Sequence, residues 1–262
     1  MVEKRKPEGR GRLGKIAGLF LVVAALGVLL SLGTWQMQRL QWKEALLTAI
    51  AERRTAPPVS LKEIETMAAA GEDIDYRTVR VLGTYDHGKE RHFFATHEGR
   101  TGYYVFTPLM LEDGRALFVN RGFVPFEKKD ASVRPDGQVA GTVTVNGLAR
   151  PRLSEKPSSL VPDNDVAKNI FYWKDLDAMA AAAGIATGRL VPFFVDADAS
   201  PNPGGLPIGG VTQFDLPNNH LQYAVTWYGL AAALVAVSGV YFYRRRRQPN
   251  QENSASDVGS RT

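Results

Sequence analysis

The sequence predicts an α+β membrane protein: two transmembrane helices flanking an exported, mainly antiparallel β domain, a small barrel or sandwich with short helices. Three observations carry this. Ile16 to Trp35 holds no charge over twenty residues, and Leu221 to Tyr243 holds none over twenty-three. The 184 residues from 36 to 219 between them are dominated by short β-rich stretches punctuated by turn residues. A helix of about twenty apolar residues crosses roughly 30 Å of hydrocarbon, and a buried core helix is rarely so long and so apolar. Short strands with few helices suggest a closed or stacked antiparallel architecture.

The elements follow in order. Residues 1–15 form a basic N-terminus with Lys4, Arg5, Lys6, Arg10, Arg12 and Lys15. The first span, 16–35, could be read as a cleaved leader. Ser31-Leu32-Gly33 is only a weak cleavage site, however, and a second span follows, so an uncleaved anchor is expected. Residues 36–219 form the exported domain, 220–243 the second span, and 244–262 a tail opening on Arg244 to Arg247. The approach from Val191 to His220 has no Lys or Arg. The positive-inside rule therefore places both termini in the cytoplasm. Arg39, Lys43, Arg53 and Arg54 on the far side weaken that assignment without reversing it. Glu3 and Glu8 do not suit a transit-like leader, so the expected location is a bacterial cytoplasmic (inner) membrane with a periplasmic domain.

The formal charge of +5 lies at the ends. The first 15 residues carry +4 and the last 19 carry +3, whereas residues 36–219 hold 21 basic and 23 acidic side chains, a net −2. An isoelectric point near 9.4 thus gives no support to nucleic-acid binding. The basic ends suit anionic membrane lipids instead.

Within the domain a helix is expected to continue from Gln36 to about Arg53, stopped before Pro57-Pro58. A short one covers Leu61 to Ala70 and ends at Gly71. Strands are expected over Arg77–Tyr85 and Arg91–Thr96, joined by the turn Asp86-His87-Gly88-Lys89. Gly102–Leu111 and Arg115–Val124, joined by Glu112-Asp113-Gly114, read as a hairpin, as does the pair before them. Gly137–Leu148 and Val191–Val195 are further strands. Asp175 is placed to cap a helix running to Ala183 and closed by Gly184.

Several chemistries lose ground. The absence of cysteine excludes disulfides, thiol redox work and thiolate ligation of copper by this chain, and five scattered methionines do not suit copper delivery. There is no Gly-rich nucleotide loop and no G-x-S-x-G elbow. His87, His92 and His97 recur at intervals of five, which suits surface or turn histidines better than a metal site. The pairs Asp73/Asp75 and Asp196/Asp198 lie in hydrophilic sequence and read as solvated. No acid/base constellation stands out, so catalytic turnover is not expected.

Two places remain. After the first span come Trp35, Gln36, Arg39, Trp42 and Lys43. Trp35, Arg39 and Trp42 share one side of a continuing helix. Two readings fit: an interfacial aromatic belt with a cationic anchor, or a docking or cofactor-edge site at the membrane surface. At the start of the second span His220, Tyr223, Ala224, Trp227 and Ala231 share a stripe. A neutral imidazole above aromatic and small residues can ligate haem iron, or it can simply bond lipid or backbone at the interface. Val119 to Pro125 likewise reads as a strand ending in a turn, or as a segment projecting Arg121 towards a partner.

Motifs extend across residues 31 to 243. They are Gly33-x-Trp35-Gln36-x-x-Arg39-x-x-Trp42-Lys43, Tyr76-Arg77-x-Val79-x-x-x-Gly83-x-Tyr85, Gly102-Tyr103-x-Val105-x-Thr107-Pro108, Val119-Asn120-Arg121-Gly122-Phe123-Val124-Pro125, Tyr172-Trp173-x-Asp175 and Pro217-Asn218-Asn219-His220-Leu221-x-Tyr223-Ala224-x-Thr226-Trp227. In this order between two spans, the chain resembles the surfeit-locus proteins that assist cytochrome c oxidase assembly. It departs at Phe123, where that family usually has tryptophan and hence an N–H donor. The resemblance implies delivery or insertion of haem a into oxidase subunit I, with subunit I, haem a synthase and membrane lipids as partners. It maps the family's membrane-edge histidine onto His220 as haem-iron ligand. Trp35, Trp227 and Tyr223 would then lie beside the macrocycle and Arg39 would pair with a propionate. Gln36, Trp42, Lys43 and Arg121 would meet partners. The alternative is a structural assembly factor that binds no haem and holds an early subunit I intermediate. A haem-modifying enzyme is a third reading, against which the lack of a redox or acid/base constellation argues.

Overall fold

The computed structural model describes residues 9–212 and 218–247. Two compact units emerge, one from the chain ends with the apolar helices and one from residues 48–215. Both apolar runs are helical: α1 spans Gly9–Thr55 and α4 spans His220–Arg247. Only 6% of each hydrophobic window is buried within the protein. A core helix would be covered by its own chain. These helices leave their apolar surface outward, as lipid-facing helices do. The helical pattern expected beyond Trp35 is continuous with the span, and α1 runs to Thr55 without a break. The N-terminal residues 1–8, residues 213–217 and the tail beyond Arg247, which include Pro217 of the last motif, lie outside the described residues.

The second unit is a small closed barrel. In chain order its elements are β1 (Val59–Ser60), α2 (Leu61–Ala69), β2 (Thr78–Tyr85), β3 (Arg91–His97), β4 (Arg100–Met110), β5 (Ala116–Pro125), β6 (Thr142–Pro151), α3 (Leu176–Ala182) and β7 (Leu190–Ala197). The sheet runs β1-β2-β6-β7-β5-β4-β3, and a further β2–β4 pairing joins Thr84 to Met110 and Tyr85 to Leu109. Five strands, β2-β6-β7-β5-β4, thereby close on themselves. Closure pairs each of these five strands on both sides and leaves only β1 and β3 as outer strands, so little open edge is offered to other chains. Gly83 permits it: a Cβ there would stand 2.6 Å from the Met110 carbonyl oxygen. All pairings are antiparallel except β1–β2 and β5–β7.

Inward-facing residues alternate along the strands. Val79, Val81, Leu109, Leu117, Val119, Val145, Ala149, Val191, Phe193 and Val195 fill the barrel, with Ile64 of α2 packed against them. A second apolar layer lies on the other face, where α3 sets Leu176, Met179 and Ala180 against Phe106, Phe118 and Phe194. β5 is buried along its whole length because it lies between these layers and is paired on both sides. α2 begins with a capping box: Ser60 Oγ accepts from Glu63 N–H, and the Glu63 carboxylate accepts from Ser60 N–H, the pattern that satisfies two orphan donors at once. Asp175 caps α3 by accepting from Ala178 N–H at 2.9 Å.

Two local expectations are corrected. Arg77–Tyr85 and Arg91–Thr96 do not form a hairpin with each other. The residues between them make a 3₁₀ turn, His87–Lys89, and β2 pairs with β6 while β3 pairs with β4. The β3–β4 turn is instead Glu98-Gly99, both at positive φ (49° and 77°), as a two-residue type I′ hairpin requires. β6 starts at Thr142 rather than Gly137, because Pro135–Gly137 forms another 3₁₀ turn.

Candidate functional site

The first site is built on the two apolar helices. Gly33, Gln36 and Leu40 form the buried stripe of α1, and Ala224 and Ala231 are the buried positions of α4. Their spacing of three, four and seven keeps each set on one helix face. The faces approach closely at Gly33, where a Cβ would lie 2.8 Å from a Tyr228 ring carbon. Thr34 Oγ1 and Tyr228 Oη share a hydrogen bond of 3.1 Å. One turn further along α1, Gln36 Oε1 lies 2.7 Å from His220 Nδ1. Gln36 is only 9% exposed. An acceptor oxygen at that distance calls for a hydrogen on Nδ1, which in the neutral ring leaves the lone pair on Nε2.

The expected stripe of α4 is thus refined. His220, Ala224, Trp227 and Ala231 are buried or half-buried, whereas Tyr223 is exposed. Gln36 does not present its amide to a partner as expected. Its position on the packed face of α1 turns it onto His220. Trp35 is 53% exposed and Trp42 is similarly open. The Arg39 guanidinium lies 4.1 Å from the Trp42 ring centroid, a cation–π contact worth about 0.5–1 kcal/mol at an exposed site. Lys43 is half-buried beside them. An imidazole with Nδ1 committed to Gln36, exposed indoles and a guanidinium on the same helix pair are the side-chain types that suit a haem: a nitrogen donor, apolar faces and a carboxylate partner.

The second site is a buried charge cluster in the barrel unit. Arg121 does not project to a partner. It is 1% exposed and turned inward, donating from Nη2 to the Gly137 carbonyl at 2.6 Å and to Asn202 Oδ1 at 3.1 Å. Its Nη1 donates to His87 Nδ1 at 3.3 Å, and its guanidinium lies 4.7 Å from the Tyr85 ring centroid. Arg121 thereby ties β5 to two loops. Glu90 faces Arg121 at 3.7 Å and pairs in a two-pronged fashion with Arg134. Burial pushes the Glu90 carboxyl up, but His87 and the Arg134 guanidinium outweigh it and hold the group at about 2.

His92 is a correction as well. It is buried, not on the surface, because β3 directs it inward and residues 169–171 cover it. Asn169 Nδ2 donates to its Nδ1 at 3.0 Å, and Phe171 N–H donates to its carbonyl. Burial drives its pKa down to about 4; the Glu90 charge opposes this while Lys129 and Arg134 add to it. Asp196 is buried too, not solvated. It accepts from Asn120 Nδ2 at 2.9 Å and Thr212 Oγ1 at 3.0 Å because β7 runs between β5 and β6. Asp75 is half-buried, and burial raises its pKa despite Arg150. Tyr85, His87, Glu90 and His92 lie within eight residues, but Arg121, Arg134, Asn169 and Asn202, which complete the cluster, come from tens of positions further on, so no local spacing marks it. Among the described residues no group of three or more His, Asp or Glu is arranged for a metal ion.

A closed five-strand barrel and two outward-facing apolar helices joined by a histidine–glutamine pair define a membrane-anchored barrel protein with a polar site on its helix pair. The SURF1 family model matches residues 23–232, which takes in both Gln36 and His220. Surfeit locus protein 1 of Rattus norvegicus is 39% identical over 231 residues, covering 82% of this chain and 71% of its own. The Homo sapiens protein of that name is 38% identical over 232 residues, 82% and 73% respectively. A SURF1-like protein of Monosiga brevicollis is 33% identical over 259 residues, 94% of each chain. The chain belongs to the SURF1 family.

Proposed function

We propose that this chain is an assembly factor for haem-copper cytochrome c oxidase. It holds haem a at the outer face of a bacterial cytoplasmic membrane and helps its insertion into subunit I, without catalytic turnover of its own. The observation that carries this reading is the 2.7 Å contact between His220 Nδ1 and Gln36 Oε1, which commits Nδ1 and in the neutral ring leaves the Nε2 lone pair as a ligand at the start of an apolar helix. His220 would hold the iron, Trp35, Tyr223 and Trp227 would lie against the macrocycle, and Arg39 would pair with a propionate. When bound, the haem would supply an iron centre open to a nitrogen donor. A single neutral imidazole on a two-helix scaffold is easier to leave than a pair of axial ligands, which suits a carrier. Haem a synthase as donor, subunit I as acceptor and anionic lipid at the basic ends complete the proposed set of partners. Both termini are assigned to the cytoplasm and the barrel to the periplasm on the distribution of Lys and Arg in the sequence.

A second reading is a structural factor that holds an early subunit I intermediate and binds no haem. The exposed Trp35 and Trp42, with Arg39 stacked on the latter, favour it, since they form a contact surface in their own right. His220→Ala separates the two in cells that make haem a. The carrier reading expects subunit I to co-isolate with the variant yet to contain less haem a. Full haem a in subunit I would favour the structural reading.

A further inference from the structure

His220 opens α4 and meets Gln36 of α1 one turn from the close approach of Gly33 to Tyr228. A carboxamide oxygen can only accept a hydrogen bond. The 2.7 Å contact therefore calls for a hydrogen on Nδ1, and in the neutral ring that leaves the lone pair on Nε2. Ligating histidines almost always donate their second ring N–H to a fixed acceptor, which sets the tautomer and the ring plane. Here that acceptor is a buried side chain on the other helix, locked in register by the Thr34–Tyr228 hydrogen bond and by the Tyr228 ring seated over Gly33.

We infer that Gln36 is a positioning residue: its Oε1 holds His220 as the Nδ1–H tautomer and aims Nε2 for coordination. This rests on the haem reading above for what is coordinated, though not for the state of the ring. The choice of a carboxamide has a chemical consequence. A carboxylate in its place would withdraw the Nδ1 proton further and make the imidazole a stronger donor. A neutral acceptor fixes the ring without that strengthening, which matches a ligand that must release its cargo.

The test uses the full chain in detergent, labelled with ¹⁵N histidine, at about pH 8.5, where an ordinary imidazole is neutral. The His220 signals are assigned by their loss in His220→Ala. The parent without haem is expected to show Nδ1–H. Gln36→Leu, similar in shape but without an acceptor, is expected to show a mixture of tautomers. Added haem should bind Gln36→Leu roughly 10–100-fold more weakly, and Gln36→Glu, which restores an acceptor oxygen, should bind as well as the parent or better. An Nε2–H tautomer in the parent would mean that the amide is turned the other way and would overturn the inference. So would identical tautomers and haem affinities in the parent and Gln36→Leu. A tautomer shift with no haem bound by any chain supports the positioning of the ring and removes the haem reading instead.

Discussion

His92 makes the barrel sensitive to acid. Its folded pKa of about 4 lies below the ordinary 6.5, so the unfolded chain takes up the proton first as the pH falls. Stability from this residue is complete above about pH 6.5 and drains away as the pH approaches 4. At about 1.36 kcal/mol for each tenfold change in proton affinity, the loss is about 3 kcal/mol. His92 is almost fully buried, so solvent does little to screen this effect. His92→Gln keeps an acceptor for Asn169 but cannot be protonated. The assay is urea unfolding of the full chain in detergent, with Trp35, Trp42 and Trp227 replaced by Phe so that Trp173 reports on the barrel. Between pH 7 and pH 4 the parent should lose about 3 kcal/mol more than His92→Gln. Parallel losses in the two proteins would refute the reasoning. Below about pH 4.5 both should lose further stability as Glu90, held at about 2 when folded, becomes protonated on unfolding; its contribution is present above the ordinary carboxylate value and lost below it.

Three other outcomes follow from named contacts. Glu90→Gln leaves two guanidinium groups, Arg121 and Arg134, buried without their shared carboxylate, and should cost about 3–5 kcal/mol in the same urea assay. Phe193→Ala empties the middle of the barrel and should cost about 3–5 kcal/mol. Gly33→Val drives a branched side chain into the Tyr228 ring. It should weaken haem binding as Gln36→Leu does, and Tyr228→Ala added to it should recover part of the loss.

Much of this architecture is legible in the sequence because it is written locally. Two uncharged runs of twenty or more residues identify the helices, and alternation with turn residues identifies most strands. Asp175, ahead of a short apolar helix closed by Gly184, identifies the cap of α3. What stayed hidden depends on partners far away in the chain. Glu90 and Arg134 are 44 residues apart, and Asn120 and Asp196 are 76 apart. Nothing at His92 or Asp196 announces that a later segment will cover it. The β2–β3 hairpin was misleading because a turn signal marks a reversal without saying which strands pair, and here β6 takes the edge of β2. Gln36 carried no local mark of its role either. Only the meeting of the two helices shows that its amide faces a ring 184 positions further on.

The measurement closest to the central claim is an optical spectrum with extracted-haem analysis of the detergent-purified chain from cells that make haem a, beside His220→Ala at matched yield. The account predicts haem a in the parent and little in the variant. Equal haem in both, or none in either when both are folded and haem a is available, would contradict it.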